Sequence, residues 1–213
     1  FQAQAYKELL PSGGPVRTQI IGTPDTEKEQ QAERVRDFMN YQIMHVMEEF
    51  DPELDQMLFY LPLTGSTFKK IYFDGTLGRA VSKFIPADDL IVPYLSTDLL
   101  SAERVTHVLR RTENEIKKMQ VIGMYRDIDI QPFYEDSRIQ EAKNRIEGTQ
   151  NTNYNNDNYT LLEMHCDLDL PGFENQDGIK LPYIITIDEG SGKVLSIYRN
   201  YAEDDAFYKK KQY

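Results

Sequence analysis

The sequence predicts an α+β fold of mixed helices and antiparallel strands, on three observations. Apolar residues recur at helical spacing from Ala32 to Phe50. A short apolar helix gives way, across a Pro/Gly break, to a β-rich run within residues 54–73. Two further β-rich runs flank Glu189-Gly190-Ser191-Gly192 and read as a hairpin. At 213 residues the chain allows one large domain or two small ones. A main α+β region is expected over 1–148, an Asn-rich loop or linker over 149–158, and a hairpin region with a C-terminal segment over 159–213.

Taken in order, residues 1–25 combine the amphipathic AYKELL, the breaker PSGGP and the apolar TQIIG, and suit an extended or strand-like arm. Thr26 and Glu29 form a capping-box pattern ahead of the apolar stripe, so a helix is expected over about 26–49. Such a stripe reads as core. Asp51-Pro52-Glu53 starts the next helix, with a carboxylate to cap free N–H groups and proline where its missing N–H costs nothing. Leu54, Met57, Leu58 and Leu61 form its buried face; Pro62 interrupts it and Gly65 supplies a left-handed end. Leu54, Leu58, Leu61, Phe68 and Tyr72 are the expected fold determinants.

STFKKIYF and AVSKFIP read as a hairpin, and LIVPY as a third short strand. DLLSAERVTHVLRR fits a helix by its leucines and valines and a strand by the alternation in ERVTHVL; a strand over about 103–110 is taken, partly on a family resemblance, and a second capping box at Thr112 and Glu115 then opens a helix towards Gly123. Residues 125–130 look extended, 137–146 form a polar helix, and YTLLEMHCDLDL resumes as a strand. TQNTNYNNDN has no aliphatic residue with which to order itself and reads as a mobile loop or linker.

Lys plus Arg number 24 against 35 Asp plus Glu, a net charge of −11. That balance disfavours tight, sequence-independent DNA binding, which requires phosphate neutralisation. Cys166 is the sole cysteine, so no intrachain disulfide framework exists. No signal-peptide pattern and no apolar run long enough to cross a bilayer is present, and both ends read as cut.

LPLTGSTFKKIYFD, preceded by MNYQIMHVMEEFDPELDQMLFY, strongly resembles the portal (head-to-tail connector) protein of short-tailed bacteriophages. The likeness continues through SKFIPADDLIVPY and ERVTHVLR, weakens in the Asn-rich region and resumes in PYIITIDEGSGKVLSIYRNY. The resemblance implies a fragment of a longer protein, from the portal wing, in a ring of commonly twelve subunits at one vertex of the virion. It implies terminase, capsid and tail proteins as partners, and host cytoplasm as the place of assembly. Double-stranded DNA would pass through the axial channel without sequence-specific binding, driven by a separate ATP-powered terminase, with no membrane and no cofactor involved. In such a ring the methionines of the 26–49 helix would face a neighbouring subunit instead of a core.

The residues give no reaction centre: no catalytic, cofactor-binding or metal-ligating set is expected. His45, His107 and His165 lack ligand spacing, and His165 and Cys166, adjacent on a strand, point to opposite faces. Cys166 has no nucleophile motif around it. Asn151, Asn153, Asn155 and Asp157 imitate a calcium loop, but Asn156 stands where glycine is needed and Leu162 where a bidentate Glu is needed. Asn158-Tyr159-Thr160 is a glycosylation sequon without secretory context. Gly65-Ser66-Thr67 with Lys69-Lys70 has the wrong order for a phosphate loop, and Lys209-Lys210-Lys211 reads as a solvated face. Asp127 with Asp129, and Asp167 with Asp169, would each share a strand face, which keeps a metal-dependent hydrolase as one alternative. A soluble protein-binding adaptor is another. Limited proteolysis should cut first between about residues 148 and 159. Cleavage inside 26–49 with protection of the Asn-rich segment would contradict this reading.

Overall fold

The structure, a computed structural model, describes residues 1–130, 132, 158–175, 177–205 and 207–210. It is α+β: among the described residues, four α-helices accompany a two-stranded and a five-stranded antiparallel sheet. The chain forms two compact units, Phe1–Asp88 and Asp89–Tyr213. The segment expected as a linker, 149–158, lies outside the described residues except for Asn158, and so does the helix expected over 137–146.

The first unit is organised on α3 (Phe50–Thr64). Its Leu54 and Leu58 are buried together with Leu10, flanked by Ala5, Tyr6 and Met57. Leu61, Phe68 and Tyr72, expected beside them, are half-buried. Residues 2–9 form helix α1 (Gln2–Leu9) instead of an extended arm. Asp51 and Asp55 on α3 accept hydrogen bonds from Tyr6 and Gln2 of α1. The expected helix over 26–49 divides. α2 spans Thr26–Tyr41, a π-helical turn covers Gln42–Val46, and the chain breaks before α3. Pro52 gives the reason, because its ring would collide with the carbonyl four residues back in a continuous helix. The capping box expected at Thr26 does not form either. Asp25 is the N-cap, without a side-chain bond, and its carbonyl accepts the Glu29 amide at 2.9 Å.

α3 runs through Pro62, which falls in the last turn, and ends at Gly65 (φ +79°). One missing N–H so near a helix end is tolerated, and the Gly65 amide still reaches the Leu61 carbonyl at 2.9 Å. β1 (Thr67–Asp74) and β2 (Arg79–Pro86) then form the expected hairpin in continuous register. Its turn is closed by the Asp74 carboxylate, which accepts from the Thr76 amide at 2.8 Å.

Helix α3 grips the hairpin by its β2 edge. Glu49, the N-cap residue, accepts the Ser82 amide at 3.1 Å and pairs with Arg79 at 2.7 Å. Glu53, one turn on, accepts the Phe84 amide at 2.7 Å. Four residues of helix rise about 6.0 Å and two residues of strand about 6.8 Å. Carboxylates at i and i+4 therefore meet amides at i and i+2. The sequence suggested Asp51 as a capping carboxylate; instead no side chain caps α3, and the Glu49 carboxylate serves the strand.

In the second unit the strand order is β3-β4-β5-β6-β7, every neighbour antiparallel. β3 (Leu90–Ile91) is only two residues of the expected LIVPY strand, since Pro93 follows and cannot donate to a ladder. β4 (Arg104–Thr112) pairs along its length with β5 (Asn158–Leu168), as the strand reading of 103–110 expects. α4 (Glu113–Val121) opens with the predicted capping box: Glu115 accepts the Thr112 amide at 2.9 Å, and Thr112 accepts from Glu115. β6 (Leu181–Asp188) and β7 (Val194–Arg199) form the expected hairpin, with a bulge that buries Leu195. One face of the sheet carries Cys166, Leu181, Tyr183 and Ile185 under Tyr201; the other carries Tyr159 and Leu161 against Ile116 of α4. Residues 124–130 belong to no sheet, although Tyr125, Ile128 and Ile130 pack on the second face.

Burial raises the Glu49 carboxyl, but its own amide, Arg79 and Ser82 outweigh that and hold it below the ordinary glutamate range. A carboxyl depressed on folding stabilises the fold above its unfolded value, and that contribution fades as pH falls through the folded one. Glu49→Gln should therefore cost about 1–3 kcal/mol at neutral pH. Its chemical-denaturation stability should also fall less steeply than that of the parent chain below about pH 4. Parallel pH profiles for the two would contradict the role given to Glu49.

Candidate functional site

Helix α2 presents the clearest candidate surface. Residues 26–41 include no buried side chain, and part of the stripe read as core faces outward, while Ala32, Ile43, Val46, Met47 and Phe50 are half-buried. Val35 is 48% and Phe38 60% exposed, with Met39 and Met44 also exposed. Charged neighbours pair locally: Arg36 reaches Asp37 at 2.9 Å and Glu33 at 3.2 Å. Two side chains tie α2 to the preceding segment, and the first, Lys28, donates to the Thr23 carbonyl at 3.2 Å. The Asn40 amide accepts from the Val16 N–H at 2.8 Å and donates to the Val16 carbonyl at 3.2 Å, as a neighbouring strand would. Gly14 (φ +88°) lets the chain pass, since a Cβ there would lie 2.4 Å from Asn40. Helical spacing identified the stripe; nothing in the spacing distinguishes a face covered by its own chain from one left open.

The second unit holds a polar row within its sheet. Register places His107, Glu163, Thr186 and Ser196 side by side on β4, β5, β6 and β7. His165, two residues along β5, lies 3.2 Å from the Glu163 carboxylate through Nε2. Tyr125 lies over this face of the sheet, and burial pushes its phenol up. Tyr198 reaches over to donate to the Met124 carbonyl at 2.7 Å. Thr186 separates Ser196 from Glu163 by a whole strand, and neighbouring strands lie about 4.8 Å apart. A serine nucleophile needs its base within about 3 Å. The row is therefore a polar layer inside the sheet, with the Ser196 hydroxyl buried and unbonded among the described residues, and it lacks the spacing of a relay.

The residues singled out from the sequence do not converge. Asp127 and Asp129 are exposed but lie on no strand, so the face they were expected to share does not exist. Asp167 pairs with Lys210 at 3.5 Å, while Asp169, just past the end of β5, is exposed. His45 is exposed near the Tyr41 ring, and His165 and Cys166 are both buried on β5. Burial pushes the Cys166 thiol up, with Asp167 adding to the effect, which makes it a poor nucleophile. Among the described residues no three His, Cys, Asp or Glu side chains gather as metal ligands. Lys69 lies 3.7 Å above the Phe50 ring, far from any phosphate-loop geometry. Lys210 donates to the Ala102 carbonyl at 3.3 Å, so it is not a purely solvated lysine; Lys211 lies outside the described residues. The calcium-like Asn151, Asn153, Asn155 and Asp157 also lie outside them.

No protein-family model matches the sequence, and no curated protein matches it.

Proposed function

We propose that this chain is part of the wing region of a phage portal, a structural subunit of the ring through which double-stranded DNA is packaged and ejected. Two things support the reading. The stretches that resemble portal proteins lie in both compact units, from Met39 at the end of α2 to Tyr201 beyond β7. The observation that carries it is the open apolar face of α2. A subunit enclosed by copies of itself needs apolar surface left uncovered by its own chain, and a closed cyclic ring is built from such heterologous contacts.

The net charge of −11 suits a ring through which DNA slides, because like charge limits adhesion to phosphate. Terminase, capsid and tail proteins are the partners of this reading, and the portal vertex of the virion is its location. Force for packaging would come from the terminase, so the chain requires no nucleotide site of its own. The hydrolase alternative loses its motive in the placement of its carboxylates: Asp127 and Asp129 share no strand, and Asp167 is engaged by Lys210.

Negative-stain microscopy of the longer protein tests the proposal, with closed rings, commonly of twelve subunits, as the expected image. Val35→Glu with Phe38→Glu should disperse those rings into smaller species. Because both residues are exposed within the subunit, each change should alter subunit stability by only about 0.5 kcal/mol. Absence of rings from the parent protein would overturn the reading. Rings unaffected by the double substitution would remove α2 as its support.

A further inference from the structure

The two edges of the β1–β2 hairpin are treated differently. On β2 the outward amides of Ser82 and Phe84 are taken by Glu49 and Glu53. In an antiparallel pair, residues opposite one another share the same parity of hydrogen bonding. Ser82 faces Ile71 and Phe84 faces Lys69, so the main-chain groups of Lys69, Ile71 and, two residues on, Phe73 point away from β2 as well. Among the described residues no hydrogen bond takes them. The same residues expose their apolar side chains, Ile71 by 67% and Phe73 by 70%.

A two-stranded hairpin is a marginal sheet, and an unpaired edge is a template for a further strand. Charge narrows the identity of that strand. Within an acidic chain the hairpin carries Lys69, Lys70, Arg79 and Lys83 against Asp74, and since Glu49 takes up Arg79 the surplus lies with the lysines. Its closed edge is already served by carboxylates.

We propose that the open edge of β1 is a strand-addition site for an extended acidic segment of a partner protein. The segment's main chain would pair with Lys69, Ile71 and Phe73. Its carboxylates would lie opposite Lys69 and Lys70, and its apolar residues opposite Ile71 and Phe73. The inference does not depend on ring formation: it concerns an edge of the first unit that no described residue pairs.

The test uses the whole chain and the acetylated peptide Thr-Val-Thr-Val-Glu-Glu-Thr, with Lys in place of both Glu as control. Hydrogen exchange resolved by NMR should show the outward amides of Lys69, Ile71 and Phe73 unprotected alone and protected with the acidic peptide. Affinity should fall with added salt, and the Lys peptide should not bind. Ile71→Pro is the informative variant. Proline is tolerated where a strand's N–H faces outward, so the β1–β2 ladder should survive while peptide affinity falls about fivefold or more. Retained amide protection across the ladder will verify that the variant folds; if it does not, Ile71 N-methylated by semisynthesis removes the same donor. Binding without protection of these amides would overturn the proposal, as would indifference to the loss of the Ile71 donor. Protection of the same amides by chain concentration alone would assign the edge to a second copy, and protection by duplex DNA to phosphate; either overturns the acidic partner.

Discussion

The first unit depends on a correspondence between two periodicities. A helix advances by turns and a strand by pairs, and along α3 and β2 the two steps nearly coincide. Glu49 and Glu53 thereby replace the carbonyls of an absent neighbouring strand. This arrangement fixes the hairpin by its edge as well as its face. It also explains why Val81 and Ile85 are buried although the sheet has only two strands. Arg79 completes the contact by neutralising a carboxylate that is itself partly withdrawn from water.

Much of this architecture is legible in the sequence because it rests on local signals. The Thr112–Glu115 capping box, the hairpin around Gly190 and the left-handed Gly65 all depend on residues a few positions apart, and each stands as expected. Signals that depend on distant partners were not legible. Glu49 and Glu53 read as ordinary acids at a helix start, and their partners lie some thirty residues on. The stripe of α2 shows the same limit: periodicity marks a face, while only tertiary structure decides whether anything covers it. Pro62 illustrates a different error, since a rule about helix interiors applies weakly in the final turn.

The candidate surfaces divide by chemistry. The polar layer of the second unit is enclosed within its sheet, with His165 beside Glu163 and the Ser196 hydroxyl buried. Such a layer fixes the register of the sheet, because a one-residue slip would carry these groups to the opposite, apolar face. The first unit instead leaves its apolar residues outward, on α2 and on β1.

The sheet order of the second unit has an evolutionary consequence. All five strands are neighbours in sequence order, yet the connection from β4 to β5 spans residues 113–157, and among its described residues α4 and the packed residues after it help fill the sheet's second face. Closure entropy grows slowly with length, by about 0.6 kcal/mol for each doubling of a flexible loop. Added length in a connection of this size therefore costs little, and strand register need not change with it. Length drift among descendants of this chain should therefore accumulate here, while β4 and β5 retain their spacing.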